Sequence, residues 1–228
     1  MNTRTERPEG SNHTESMPQG PACTHWSRVA LRAVERMCTT RINAQLGLVG
    51  DITVSVVLLY AGLREGGLSL PGMLVSVGAG LLAFSFFEYA MHRWLFHGPA
   101  QVFQQGHLVH HQHPRGFDSL PFFLVPLTIL LLASVLNWVL PTVAFLFAGS
   151  FAAGYAAYGT SHWVMHAFRF SNPLLRRWAA DHHIHHFHAD KNFGVTSPLW
   201  DIVLHTRYVS ARRSAAPSRS ADRAVDRT

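Results

Sequence analysis

Charge is scarce in this sequence: Asp, Glu, Lys and Arg make up 14% of its 228 residues, against about 25% in an ordinary soluble domain. That deficit argues against a water-soluble globule. Cysteine is scarcer still, and its two copies, Cys23 and Cys38, form no CxxC pair. A disulfide framework is thereby excluded, and the redox compartment is left open. The N-terminus has no apolar segment of the kind that leads a secretory signal, so membrane targeting is expected to come from internal segments. No period of 20–50 residues recurs, which excludes a repeat array. A net charge of +6 and a pI near 10.0 would suit nucleic acid, but the basic residues are not interleaved with aromatics. They flank apolar runs instead, so no nucleic-acid partner is expected. Lys191 is the single lysine among 19 basic residues, a skew that suggests a GC-rich bacterial genome and hence an inner-membrane location.

Hydrophobic residues, by contrast, make up 48% of the chain. The mean hydropathy of +0.09 averages polar ends with an apolar middle. Three segments are expected: a polar tail over 1–45, a membrane domain over 46–208, and a disordered basic tail over 209–228. Within the first tail, Trp26–Arg41 sets Val29, Leu31, Val34 and Met37 among four arginines, the pattern of an amphipathic helix lying on an anionic membrane surface. A bilayer core about 30 Å thick requires about 20 apolar residues in a helix. Leu68–Phe87 and Leu120–Leu140 meet this without a charged side chain, and Pro141–Tyr158 nearly does. Ala44–Leu63 is interrupted by Asp51, which either caps a shorter helix or faces a bundle interior. The expected fold is an all-α integral membrane bundle of about four transmembrane helices, with Pro141 and Asn137 marking a tight reversal. Of the basic residues only Arg64 falls in the connections on the far side, so the termini are expected in the cytoplasm.

Histidine is the informative count. There are 16, more than all 13 acidic residues, and most form four clusters at the ends of the apolar runs. These are His92 with His97; His107, His110 and His111; His162 with His166; and His182, His185 and His186. Residues three or four apart share a helix face, so each of the last three clusters can aim imidazoles at one spot. Neutral imidazole suits Zn, Cu, Fe and Ni. One metal takes about six ligands at most, so ten imidazoles imply two metals at the cytoplasmic face. His92 and His97 diverge by about 140° on an ideal helix, so either the helix ends between them or each serves a different metal. An all-neutral ligand set leaves the site strongly positive, which suits activation of O2 and equally suits a zinc hydroxide.

In these segments the sequence resembles the fatty acid hydroxylase superfamily of membrane di-iron oxygenases, which includes fatty acid 2-hydroxylases and sterol-modifying enzymes. The resemblance runs over about residues 50–208. It rests on EYAMHRWLFH from Glu88, HLVHHQHPRGFDSLPFFLVP from His107, GYAAYGTSHWVMH from Gly154, and HHIHHFHADKNFGVTSPLWDIVLHT from His182. It implies two iron ions, with zinc as the alternative, held by the ten histidines named above. It also implies O2 as co-substrate, a lipid substrate drawn from the bilayer, with a fatty acyl chain favoured, and hydroxylation of one C–H bond. No HPGG motif of a fused cytochrome b5-like domain occurs, so electrons are expected from a separate cytochrome b5-like or ferredoxin-type donor.

Glu88, one turn before His92, and Asp181, beside His182, are expected to accept a ring N–H and orient a ligand. Asp201, which falls in the resembling segment, is a further candidate support. His183 and His188 flank the last cluster and could shift its register. His113 and His205 are expected outside the metal ligand set. Desaturation or hydroxylation of a sterol or carotenoid uses the same site and stays open. So do two non-enzymatic readings, a zinc-stabilised membrane scaffold and a metal transporter, although the uncharged centres of the later runs offer a transporter no polar route.

Overall fold

The computed structural model describes residues 34, 36–99, 101–117 and 119–210, with the backbone alone for residues 101 and 102. Most of the expected interfacial helix over 26–41 and most of the tail over 209–228 lie outside the described residues. Among these residues the fold is all helical. It comprises α1 (Arg41–Glu65), α2 (Leu70–Ala90) continued by a π-helical turn (Met91–Phe96), α3 (Gln101–Gln112), α4 (Leu124–Val139), α5 (Pro141–Ala167), α6 (Pro173–Phe187) and the short α7 (Leu199–Val203).

Local chemistry sets the helix ends. Thr40 caps α1 by accepting from the Asn43 amide at 3.1 Å, and Ser69 caps α2 ahead of Pro71. The turn between them runs through Gly66 and Gly67 at φ +73° and +87°, angles that favour glycine. Leu140 alone connects α4 to α5, and Pro141 opens α5 at its first position, where a missing N–H costs nothing. The expected reversal is therefore present. Asp51 does not cap: α1 runs through it unbroken, and its side chain turns inward, 8% exposed, with Oδ1 unpartnered.

Among the described residues, three helical stretches are long and apolar enough to cross a membrane: Arg41–Glu65, Leu70–Phe96 and Pro141–Ala167. The run Leu120–Leu140 is helical only from Leu124 to Val139, because its start is taken up by a turn in which the Leu124 amide bonds to the Pro121 carbonyl at 2.9 Å. Sixteen residues span only about 24 Å at 1.5 Å each, which makes α4 shorter than the sequence suggested. α5 runs the other way, nine residues past Tyr158. Within that extension the Thr160 hydroxyl donates back to the Ala156 carbonyl at 2.8 Å, which satisfies its polar group inside the helix, and the extension carries His162 and His166.

α5 is the hub, with α1, α2 and α4 all packed on it. Its small residues Ala144, Ala148, Gly149, Ser150, Ala152 and Gly154 are buried and allow close backbone approach, as small residues do between membrane helices. Leu58, Ile129, Ala133, Ala148 and Ala152 form the core of the bundle. Ser55 ties α1 to α5 through the Gly149 carbonyl at 2.9 Å. The outer surface is as apolar as the core, with Val57, Leu74, Val75, Leu131 and Trp138 exposed, an inside-out pattern that only lipid tolerates well. Asn43, 2% exposed, binds Ser119, Leu120 and the Phe122 amide at 2.8–3.0 Å. This ties the start of α1 to the start of α4. The same end of the bundle receives the last residues of α2 and α5.

On α2, a side chain at Gly80 would collide with the Phe147 carbonyl and Ser150 Oγ of α5, while Gly78 faces open space. Gly80→Leu is expected to lower the thermal midpoint of the detergent-solubilised protein by the equivalent of about 1–3 kcal/mol or more, the usual cost of overpacking. Gly78→Leu is expected to leave it unchanged. Equal midpoints for the two variants would refute this packing.

Candidate metal centre

All ten histidines of the four clusters meet at that end, in two groups of five. The first is His92, His97, His107, His111 and His185; the second is His110, His162, His166, His182 and His186. Within each group the candidate ligand nitrogens all lie within 4.8 Å of one another. In the first, the Nε2 atoms of His92, His97 and His111 each stand 3.0 Å from that of His107, and the pair His97 and His185 is also at 3.0 Å. In the second, the Nε2 atoms of His166 and His186 stand 2.9 and 3.1 Å from that of His182. Where nitrogens this close turn lone pairs toward one another, a cation at their centre relieves the repulsion, and either group could hold a metal ion. The donor set, five neutral imidazoles per group, suits iron or zinc.

Helix geometry explains how the clusters divide. On α3, His107 and His111 are four apart and about 40° apart around the axis, whereas His110 is about 60° and 100° from them. His107 and His111 therefore serve the first group, and His110 reaches the second. α6 repeats the arrangement in reverse: His182 and His186 serve the second group, and His185 crosses to the first. The two groups touch where His111 stacks on His186, with ring centroids 4.4 Å apart. α5 contributes His162 and His166 to the second group.

His92 and His97 resolve differently from either sequence expectation. Both serve the first group, and the helix does not end between them. Met91–Phe96 is π-helical, and the His97 amide bonds to the His92 carbonyl at 3.1 Å. An i→i+5 ring brings residues five apart onto one side, which an α-helix cannot do.

The supports also differ from expectation. Neither Glu88 nor Asp181 accepts a ring N–H. The acceptors are peptide carbonyls: Phe193 takes His92 Nδ1–H at 2.5 Å, and Lys191 takes His185 Nδ1–H at 2.7 Å. Each bond fixes the tautomer that leaves the Nε2 lone pair facing the group. The carboxyl groups act one step further out, because peptide amides of the 193–196 loop lie nearer to them than any imidazole. Asp201 accepts from the Phe193 and Gly194 amides at 2.8 Å each and from Thr206 Oγ1 at 2.7 Å. Glu88 accepts from the Val195 and Thr196 amides at 2.5 and 2.9 Å and from the Thr196 hydroxyl. Asp181 pairs with Arg207 at 3.2 Å.

The spare histidines join neither group. His183 Nε2 bonds the Met165 carbonyl at 3.1 Å, so it does not shift the register. His188 stacks on Tyr208, and His113 and His205 are exposed. The carbonyls of Lys191 and Phe193 were missed because a backbone group leaves no mark in a sequence. The one available signal is Asn192 between them, at φ 54°, since asparagine is enriched in that region.

Burial keeps the rings beyond the apolar helices neutral. Removal from water, helped by the charge of neighbouring imidazoles, lowers the pKa of His97 to about 4 and those of His110 and His185 to about 3. At neutral pH their lone pairs are therefore free for a metal.

The profile of the fatty acid hydroxylase family matches residues 77–206. The chain belongs to that family. Among curated relatives, it is 32% identical over 153 residues to the dihydroceramide fatty acyl 2-hydroxylase FAH1 of Arabidopsis thaliana, covering 61% of this chain and 63% of that one. It is 32% identical over 176 residues to the fatty acid 2-hydroxylase of Mus musculus, covering 68% of this chain and 46% of the relative. The match thus spans less than two thirds of either relative. The visible hydroxylase domain of full-length scs7p shares the fold, with a TM-score of 0.64 and 22% identity over 77% of this chain and 70% of that one.

Glu88→Ala would strand two amides and a hydroxyl in a buried site, at about 1–3 kcal/mol for each unsatisfied donor. Its thermal midpoint in detergent is expected to fall well below that of wild type, with Glu88→Gln intermediate. A Glu88→Ala protein as stable as wild type would show that this carboxyl does not hold the loop.

Proposed function

We propose that the protein is a membrane di-iron monooxygenase that hydroxylates a C–H bond of a lipid acyl chain, using O2 and electrons from a separate carrier. The observation that carries this reading is the pair of five-histidine groups side by side at one end of an apolar bundle. The named relatives, a dihydroceramide fatty acyl 2-hydroxylase and a fatty acid 2-hydroxylase, support an acyl substrate. Bound iron supplies the redox chemistry with O2 that no side chain can perform.

The protein's own part is binding, orientation and exclusion of water. Ten imidazoles hold the metals, and the carbonyls of Lys191 and Phe193 aim two of them. Tyr158 lies flat against His162, with ring centroids 5.7 Å apart and planes 9° apart, so aromatic carbon rather than water separates the bundle from the second group. The apolar exterior admits an acyl chain from the bilayer. In this reading α4 completes a fourth crossing with the apolar residues that precede it. The termini and the metal groups face the cytoplasm of a bacterial inner membrane, where a cytochrome b5-like or ferredoxin-type donor reaches them.

The test is a lipid profile by mass spectrometry of cells expressing wild type or the His111→Ala, His186→Ala double variant, grown under isotopically heavy O2. A lipid heavier by one labelled oxygen, present with wild type alone, is the expected result. A lipid lighter by two hydrogens would replace hydroxylation with desaturation. Identical profiles from wild type supplied with an electron donor, together with tightly held zinc, would favour a scaffold.

A further inference from the structure

The two histidine groups are alike in composition but not in support. In the first, His92 and His185 are buried, and each gives its Nδ1–H to a peptide carbonyl of the Lys191–Phe193 segment. That segment is fixed from several sides. Asp201 and Glu88 together take four amides and two hydroxyls from the surrounding chain. The Asn192 side chain donates to the Asp181 carbonyl at 3.0 Å and accepts from the Tyr208 amide at 2.8 Å. A relay reinforces it: Arg93 donates to the Tyr89 hydroxyl at 2.8 Å, that hydroxyl lies 3.0 Å from Thr206 Oγ1, and Thr206 donates to Asp201.

The second group has no such support. Among the described residues, the rings of His110, His162, His166, His182 and His186 make no hydrogen bond to a carbonyl or carboxyl, and those of His166 and His186 meet only His182 Nε2. His182, 2% exposed, leaves Nδ1 buried without a partner. The rings of the second group are placed by packing, such as His110 on His162 at 4.4 Å, His166 on His186 at 4.7 Å and Tyr158 on His162 at 5.7 Å.

We propose that the two metal positions are unequal: the first group is built before its metal arrives and holds it tightly, whereas the second is organised by its metal and holds it weakly. Asp201 is a positioning residue for the first position only, acting on His92 through the Phe193 peptide. Acceptors that fix a histidine ligand change metal affinity by about 10–100-fold, and a ring that must be oriented on binding loses conformational freedom at that step. The inference rests on the reading of the two groups as two metal positions.

The test uses the full-length protein in detergent, loaded with cobalt(II) and titrated with a chelator. Metal content and the visible cobalt bands are followed together. Two equivalents are expected at the start, one of them leaving at a chelator concentration at least about tenfold lower than the other. His166→Ala, in the second group, is expected to keep the tightly held equivalent. His97→Ala, in the first group, is expected to keep only a weakly held one. Asp201→Asn is expected to shift the tight step about tenfold toward the weak one and leave the weak step in place. Release of both equivalents together, or a tight equivalent that survives His97→Ala and disappears in His166→Ala, would overturn the proposal. If Asp201→Asn does not fold, the two histidine variants still decide. Wild type that binds fewer than two equivalents in the presence of excess cobalt(II) would refute the two-position reading itself, a result distinct from two equal equivalents.

Discussion

A buried imidazole has two nitrogens to satisfy, and the architecture around the centre follows from that constraint. One nitrogen must present a lone pair to a cation, and the other must give its hydrogen to an acceptor or remain unpaired at a cost. Ten imidazoles at one end of a membrane bundle would repel one another if protonated and would be poorly solvated in either state. Burial eases the first difficulty by keeping rings such as His97, His110 and His185 neutral. The loop from Lys191 to Thr196 meets the second for part of the set, and Asp201 and Glu88 hold that loop.

The bundle makes such a centre reachable. α5 carries small residues along the face that meets α1, α2 and α4, so four apolar helices approach one another closely enough to act as a rigid platform. The last turns of α2 and α5 project beyond it, and α3 and α6 close over them. Because α3 and α6 each send a histidine to both groups, neither group is the property of one helix pair. A displacement of either helix is felt by both groups.

Much of this was legible in the sequence, for identifiable reasons. The uncharged runs from Leu68 and Pro141 announced two of the three long apolar helices, and the four histidine clusters announced themselves by their placement at run ends. The shortening of α4 was harder to read, because Pro121 and Pro126 are compatible with a helix start at several positions and the backbone settled on Leu124. The partition of histidines between the groups was not legible, since it depends on how α3 and α6 face each other. The supports were misread because Glu88 and Asp181 sit beside histidines in sequence, while the acceptors that reach His92 and His185 are peptide groups brought in from the far side of a loop. Asp51 was readable only as a choice between capping and burial, and Thr40 took the cap.

The π-helical turn at Met91–Phe96 has a consequence for how this chain can change over time. Such a turn amounts to one surplus residue accommodated in an otherwise α-helical path. Replacing Leu95 by another apolar residue keeps the count between His92 and His97. Losing it would return the segment to ordinary helix with four-residue spacing, which still leaves the two histidines on one side, about 40° apart. Residue count and helix type are therefore linked in this segment: a spacing of five between the two histidines demands a π turn, and a spacing of four would demand its absence.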